Sequence, residues 1–241
     1  MRRVQEQPAF ILHHRPFRDT SQILDVMSRD HGKLALVARG SRGAKSRLRG
    51  VLRPFMPLAM SWVQRSDLGT LTGAELHGAP LRLSGDALLS GYYVNELLMH
   101  FLYRHDPQPE IFGIYESAIR ALAEAEAEDV APCLRRFEIE LLRQLGYALN
   151  LDHEAGSHDP LREELHYEYR FEQGPVGVSR SEGPLVFDGG QLLAIAEQRF
   201  DDPGVLRAAN RLLRAVIGFH LDGKELKSRK VLVDLHHQRN S

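Results

Sequence analysis

Five short apolar runs fall within the first 76 residues, at 9–12, 23–27, 33–38, 58–63 and 71–76, and only one of the links between the paired runs is long. Segments this short are too brief to be helices that hold themselves together, but they match the length of half-buried strands. Between the second and third runs stands Arg29-Asp30-His31-Gly32, where Gly32 supplies the positive φ of a tight reversal, so 23–38 reads as a hairpin. Arg65-Ser66-Asp67-Leu68-Gly69 marks a second reversal between the fourth and fifth runs. Five strands so close together make a small barrel or sandwich, and a five-stranded barrel of the oligonucleotide-binding type is the natural candidate. Pro54 and Pro57 would confine the start of the fourth strand to an edge or a bulge.

From Asp86 the apolar period changes. Leu88, Leu89, Tyr92, Tyr93, Leu97 and Phe101 recur at helical spacing, with Pro107 and Pro109 closing the segment. A second helix is expected over 111–128, whose end is built of strong helix formers. A third should start at Asp129 as N-cap, carry Pro132 in its first turn, and stop near Gly146. Residues 150–188 are rich in Gly, Pro, His and Glu and contain one alternating run at 165–171, which reads as a small β insertion. Helices are expected again over 191–198, 203–220 and 228–238. The expected class is therefore α+β: an N-terminal barrel domain over 1–80, then a helical domain over 81–241 bearing the insertion.

The long link after the third strand holds the main chemical signal. Between Asp30 and Asp67 there is no carboxylate, while Lys33, Arg39, Arg42, Lys45, Arg47, Arg49, Arg53 and Arg65 are basic. Six of these eight lie in 39–53, interspersed with Gly40, Ser41, Gly43, Ser46 and Gly50, the composition of a mobile cationic loop. The whole chain has a formal net charge of −1, so the cluster is local. Residues 1–65 carry a net +9, whereas 106–172 carry −10. Opposite signs in two regions point to surfaces with different partners, although the acidic stretch also fits plain solvated helix faces. A polyanion is the expected target of the loop, and a nucleic-acid backbone the first polyanion to consider. Phe10, Phe17, Phe55 and Trp62 lie around it in sequence and are candidates either for base-stacking platforms or for core.

Other chemistries find little support. No phosphate-binding glycine loop, zinc-protease helix or serine-hydrolase elbow is present. His13 and His14 are adjacent on a strand and point to opposite faces. His153, His158 and His166 lie near Asp152, Glu154 and Asp159, so a metal site is conceivable there, and a polar loop is the plainer reading. Cys133 is the only cysteine, which rules out an internal disulfide and fits a reducing compartment. There is no apolar run of signal-peptide length at the N-terminus and none approaching 18 residues anywhere. A cytoplasmic, nucleoid-associated protein is expected.

Five segments in order resemble the bacterial recombination mediator family RecO: FILHHRPFRDTSQILDV (10–26); HGKLALVARGSR (31–42) running into LRPFMPL (52–58); YYVNELLMHFLYRHDPQPEIF (92–112); LRRFEIELLRQLGY (134–147); and LKSRKVLVDL (226–235). The resemblance covers essentially the whole chain. It implies an N-terminal oligonucleotide-binding barrel and a helical domain. It also implies binding of single- and double-stranded DNA, annealing of complementary strands, binding of the C-terminal tail of the single-stranded DNA-binding protein SSB, and action with RecR to load RecA. Many members carry a zinc-binding insertion with four cysteines; the stretch 150–188 has none, so neither zinc nor any cofactor is expected.

The residues expected to hold DNA are Arg39, Arg42, Lys45, Arg47, Arg49 and Arg53, extended by a second basic strip of Lys224, Lys227, Arg229 and Lys230. For the SSB tail the resemblance points to Leu134-Arg135-Arg136-Phe137, with Arg135 first, then Arg136, and Arg120 as a further option. An arginine here could instead pair with Glu138 or Glu140. No catalytic residue is expected. Two other readings stay open: a protein-only adaptor, and a small hydrolase or metalloenzyme using the histidine-rich insertion.

Overall fold

The first strand, β1, runs Arg2–Phe17, followed by β2 (Ser21–Ser28), β3 (Gly32–Ala38), β4 (Leu58–Gln64) and β5 (Leu68–Leu76). In this computed structural model, which describes residues 2–228 and 231, the five close into a barrel in the order β1-β2-β3-β5-β4. All pairings are antiparallel except β3 with β5, where Ala35 faces Leu68 and Val37 faces Thr70. This is the expected oligonucleotide-binding arrangement.

β1 is four times longer than its apolar run because it serves two neighbours. Its first half pairs with β4 and its second with β2, and register shifts between Val4 and Gln7 and between Ile11 and His13 bend it around the barrel. The hairpin forms as expected, with Ser28 opposite Gly32 and φ +66° at Gly32. A side chain at Gly32 would also collide with the backbone of Asp106, 2.1 Å from an added Cβ, so glycine is needed twice over. β4 has a partner on each side, so Pro54 and Pro57 do not mark an edge; they precede the strand, whose bulge comes later, between Ser61 and Trp62.

Alternate residues of each strand point inward. Ile11, Leu24, Val26, Leu34, Leu36, Leu58, Met60, Trp62 and Leu71 fill the barrel. The outer face is apolar too where helices cover it. α1 (Gly85–Phe101) and α2 (Pro109–Glu124) bury Phe10, whose ring sits 5.5 Å from Phe112 and 5.0 Å from Tyr115. Asn95 of α1 ties the layers together: its Nδ2 donates to Leu12 O at 2.8 Å, and its Oδ1 accepts from the Tyr115 hydroxyl at 2.8 Å. Burial pushes the Tyr115 hydroxyl far above the phenol range, so it remains a donor.

α2 ends at Glu124, four residues before the expected stop. Its buried stripe is Ile111, Phe112, Tyr115, Ala118, Ile119 and Leu122, and no large apolar residue follows before Val130 to extend it. Glu124, Glu126 and Glu128 are exposed, and negative charge at a helix C-terminus is unfavourable. Pro109, expected to close the first helix, opens the second as its first residue.

By packing, the chain divides into two units. One comprises the described residues up to Ala127 and again from Leu226; the other is Glu128–Glu225. The first two helices thus pack with the barrel. The second unit contains α3 (Val130–Gln144), a sheet in the order β7-β6-β8 (Gly174–Val178, His166–Arg170, Val186–Asp188), α4 (Gly189–Ala196) and α5 (Pro203–His220). Asp129 stands at the N-cap of α3 but makes no side-chain cap bond; Asp202 does cap α5, accepting from Gly204 N at 2.6 Å. The insertion packs through Tyr167, Tyr169 and Phe187, all buried, while Phe171 stacks on Phe219 at 4.5 Å and Val176 is half-buried. The helix expected over 228–238 falls, apart from Ser228 and Val231, outside the described residues.

Candidate nucleic-acid interface

The cationic link between β3 and β4 is built on a scaffold rather than hanging free. The buried Ser41 hydroxyl donates to Ala38 O at 2.9 Å, and Arg42 N donates to Thr20 O at 2.8 Å. Gly43 N reaches Gly40 O and Ser46 N reaches Gly43 O, two successive turns. Ser46 then caps a 3₁₀ turn over Arg47–Gly50, its Oγ accepting from Leu48 N at 3.3 Å. Leu52 is buried in the barrel core, and Leu48, Val51 and Met56 pack against it. Within 47–53 the arginines therefore alternate with residues that hold the loop down. The sequence reading of a loose arm missed this alternation, which was visible as Arg-Leu-Arg-Gly-Val-Leu-Arg.

Arg39, Arg42, Lys45, Arg47, Arg49 and Arg53 are all exposed. Among the described residues none of the six is in an ion pair with a carboxylate, whereas thirteen such pairs occur elsewhere. Lys33 is different: it is buried, its Nζ donates to Met99 O at 2.5 Å, and burial first, then the Arg104 charge, lowers its pKa. Sequence reasoning also passed over a cationic cluster on the barrel's outer face. There Asp25, buried on β2, is approached by Arg104 at 3.5 Å, His13 at 3.6 Å and Arg15 at 4.0 Å, each about half exposed.

The loop returns to β4 through Phe55, which has φ +67°, a strained conformation for a residue with a side chain. Its ring is buried against α1 and lies edge-on to Tyr92, with centroids 5.1 Å apart at 70°. Gly91 makes the seat: an added Cβ would stand 2.9 Å from the Phe55 ring. Of the four aromatics singled out from sequence, Phe10, Phe55 and Trp62 are core, and Phe17 is half-buried beneath Arg18. On the same helix Glu96 holds the C-terminal strip, accepting from Lys227 N and Ser228 N at 2.9 Å each and from the Ser228 hydroxyl at 2.5 Å. Burial pushes the Glu96 pKa up, but the bonds from Ser228 and Lys227 outweigh it and the net shift is downward. The Lys227 and Lys224 side chains are exposed; Arg229 and Lys230 lie outside the described residues.

The family model for the N-terminal part of recombination protein O matches residues 1–80, and that for its C-terminal part matches 82–230. The chain belongs to the RecO family. Curated relatives carry the name DNA repair protein RecO. That of Aromatoleum aromaticum is 43% identical over 234 residues, 97% of each chain. That of Photobacterium profundum is 43% identical over 227 residues, 94% of this chain and 95% of the relative. That of Dechloromonas aromatica is 41% identical over 235 residues, 97% of each.

The three arginines of this RecO-family chain expected to meet the SSB tail stand in unlike settings, Arg135 and Arg136 in the second unit and Arg120 in the first. Arg135 is 6% exposed and turns inward; its Nε and Nη2 both meet the Glu138 carboxylate at 3.0 Å, and its Nη1 donates to Asn210 Oδ1 at 2.7 Å. It is thus occupied as the alternative pairing foresaw. Arg136 is exposed and lies 5.7 Å from the centre of the Phe200 ring. Arg120, in the first unit, pairs with Glu116 at 2.8 Å. In the insertion His153 meets Asp152 at 3.0 Å and His166 meets Asp188 at 2.9 Å, and among the described residues no three His, Cys, Asp or Glu converge as ligands for a metal. No described helix is long and apolar enough to cross a membrane.

Proposed function

We propose that the chain is a recombination mediator of DNA repair, acting by binding and positioning without covalent catalysis, in the cytoplasm at the nucleoid. It binds single- and double-stranded DNA, anneals complementary strands, binds the SSB tail, and acts with RecR to load RecA on SSB-coated strands. The barrel region over 1–80 grips phosphates, and the region from 81 onward carries the partner contacts. The observation that carries the reading is the set of six exposed cations on an anchored loop, free of carboxylates, on a barrel of the oligonucleotide-binding type. Family membership and the names of the relatives support the assignment to repair.

The mechanism follows from charge. Two strands repel through their phosphates; Arg39, Arg42, Lys45, Arg47, Arg49 and Arg53 lower that repulsion by displacing counterions and leave base edges free to pair. Lys227, Arg229 and Lys230 extend the path. For the SSB tail, Arg136 beside Phe200 is the better-placed guanidinium for a terminal carboxylate, now that Arg135 is committed to Glu138.

The test is a titration of single-stranded DNA across salt concentrations. Neutralising roughly four phosphates gives a log–log slope of about −3. Arg42→Ala/Lys45→Ala/Arg47→Ala should flatten the slope by about 2, slow annealing, and leave SSB-tail binding intact. A slope near zero for the parent, with tail-peptide binding retained, would instead identify a protein-only adaptor.

A further inference from the structure

We propose that Tyr92 is a stacking platform for one nucleobase of a single strand, set between the cationic loop and the Lys227 segment. The inference rests on the nucleic-acid reading above and sharpens it.

The position is unusual for α1. Gly91, Tyr93, Val94 and Asn95 around it are buried, yet Tyr92 is 44% exposed. An exposed tyrosine by itself means little. This one is backed by a second ring. Phe55 packs against it edge-on and is fixed by the side-chain-free surface of Gly91, so the phenol is held in place while part of it remains open to solvent. Phe55 is also where the cationic loop ends, two residues after the exposed Arg53. One helical turn further along α1, Glu96 fastens the backbone of Lys227 and Ser228, which brings the exposed Lys227 side chain to the same helix. The nearest acid on that turn is thereby engaged by three hydrogen bonds.

A pinned ring flanked by cations on separate segments is what single-strand binders use: cations follow the phosphates while an aromatic face takes a base. Two basic residues 174 positions apart in sequence are thus carried to α1, Arg53 by way of Phe55 against Tyr92 and Lys227 by way of its backbone on Glu96. A duplex keeps its bases stacked internally, so Tyr92 acts on single strands and leaves duplex affinity to the cations alone. The same ring would hold a base splayed during annealing until its complement arrives.

The experiment compares a labelled oligothymidylate with an abasic strand of equal length, by fluorescence anisotropy at fixed salt, using the full chain. Tyr92→Ala should weaken oligothymidylate binding about 5- to 10-fold, at the lower end of what one stacked base contributes, and leave the abasic strand unchanged. Tyr92→Phe keeps the ring and should bind like the parent. The triple loop variant should weaken both strands alike. Equal losses on both strands with Tyr92→Ala, no loss on either, or a loss with Tyr92→Phe as large as with alanine would each overturn the platform while leaving the nucleic-acid reading standing. A parent that binds neither strand overturns that reading, and the platform with it.

Discussion

Two arginine-bearing segments of this chain look alike in sequence and behave in opposite ways. On the barrel, six cations of residues 39–53 are all exposed, and among the described residues none of them is in an ion pair with a carboxylate. On α3, Arg135 is buried and locked to Glu138, which is itself 0% exposed. The difference is the supply of acid within reach. Glu138 stands three residues from Arg135, on the same helical face. Around the loop the chain has no acid from residue 31 to residue 66, so no local partner exists. A run of basic residues keeps its charges open to solvent where the nearby chain offers nothing to neutralise them.

The largest test of that contrast concerns the buried pair. Arg135→Ala leaves the Glu138 charge buried and should cost about 3–5 kcal/mol, read from urea denaturation. Arg135→Met/Glu138→Leu together should cost far less, because the buried carboxylate is removed along with the guanidinium. The loop is the opposite case: Arg42→Ala/Lys45→Ala/Arg47→Ala should leave stability within about 0.5 kcal/mol of the parent while changing the salt dependence of binding. If the triple variant unfolds early, the loop cations are structural and the contrast fails.

A sharper version moves an acid into the loop. Gly50 is exposed, has an ordinary φ and open space about its Cα, and lies three residues from both Arg47 and Arg53. Gly50→Glu should hardly alter stability, since exposed pairs contribute about 0–1 kcal/mol. It should nevertheless reduce the salt slope by about 1, by taking a guanidinium from the phosphates. The smallest expected effect is at Glu96. Its pKa is lowered in the fold, so its hold on Lys227 and Ser228 is complete above the ordinary glutamate range and is lost as pH falls through the depressed value. Amide shifts of Lys227 and Ser228 should follow that titration; insensitivity down to the acid limit would show that the strip is held by something else.

Much of the fold was legible because its signals are local. The hairpin at Gly32, the five strands and the bounds of α5 all follow from turn residues and apolar period. What escaped was set by contacts distant in sequence. The parallel pairing of β3 with β5 has no local signature. Phe10 could be core or platform on sequence alone, because nothing in its own strand says that Phe112 and Tyr115 will cover it. Tyr92 was counted in the apolar stripe of α1, and only the position of Phe55 shows that it stands at the rim. The cations of the loop are legible because charge without nearby countercharge is a property of the sequence alone; that its apolar residues Leu48, Val51, Leu52 and Met56 anchor it is not, because they pack on barrel residues distant in sequence.

The amide of Asn95 has a practical bearing on how the molecule can be dissected. It spans the Leu12 carbonyl and the Tyr115 hydroxyl, so strand and helices share one buried polar link beneath the Phe10 cluster. A fragment cut after residue 80 would strip the cover from Phe10 and leave that carbonyl unanswered, and should come out of a cell aggregated. The shortest soluble piece that keeps the barrel should reach at least to the end of α2.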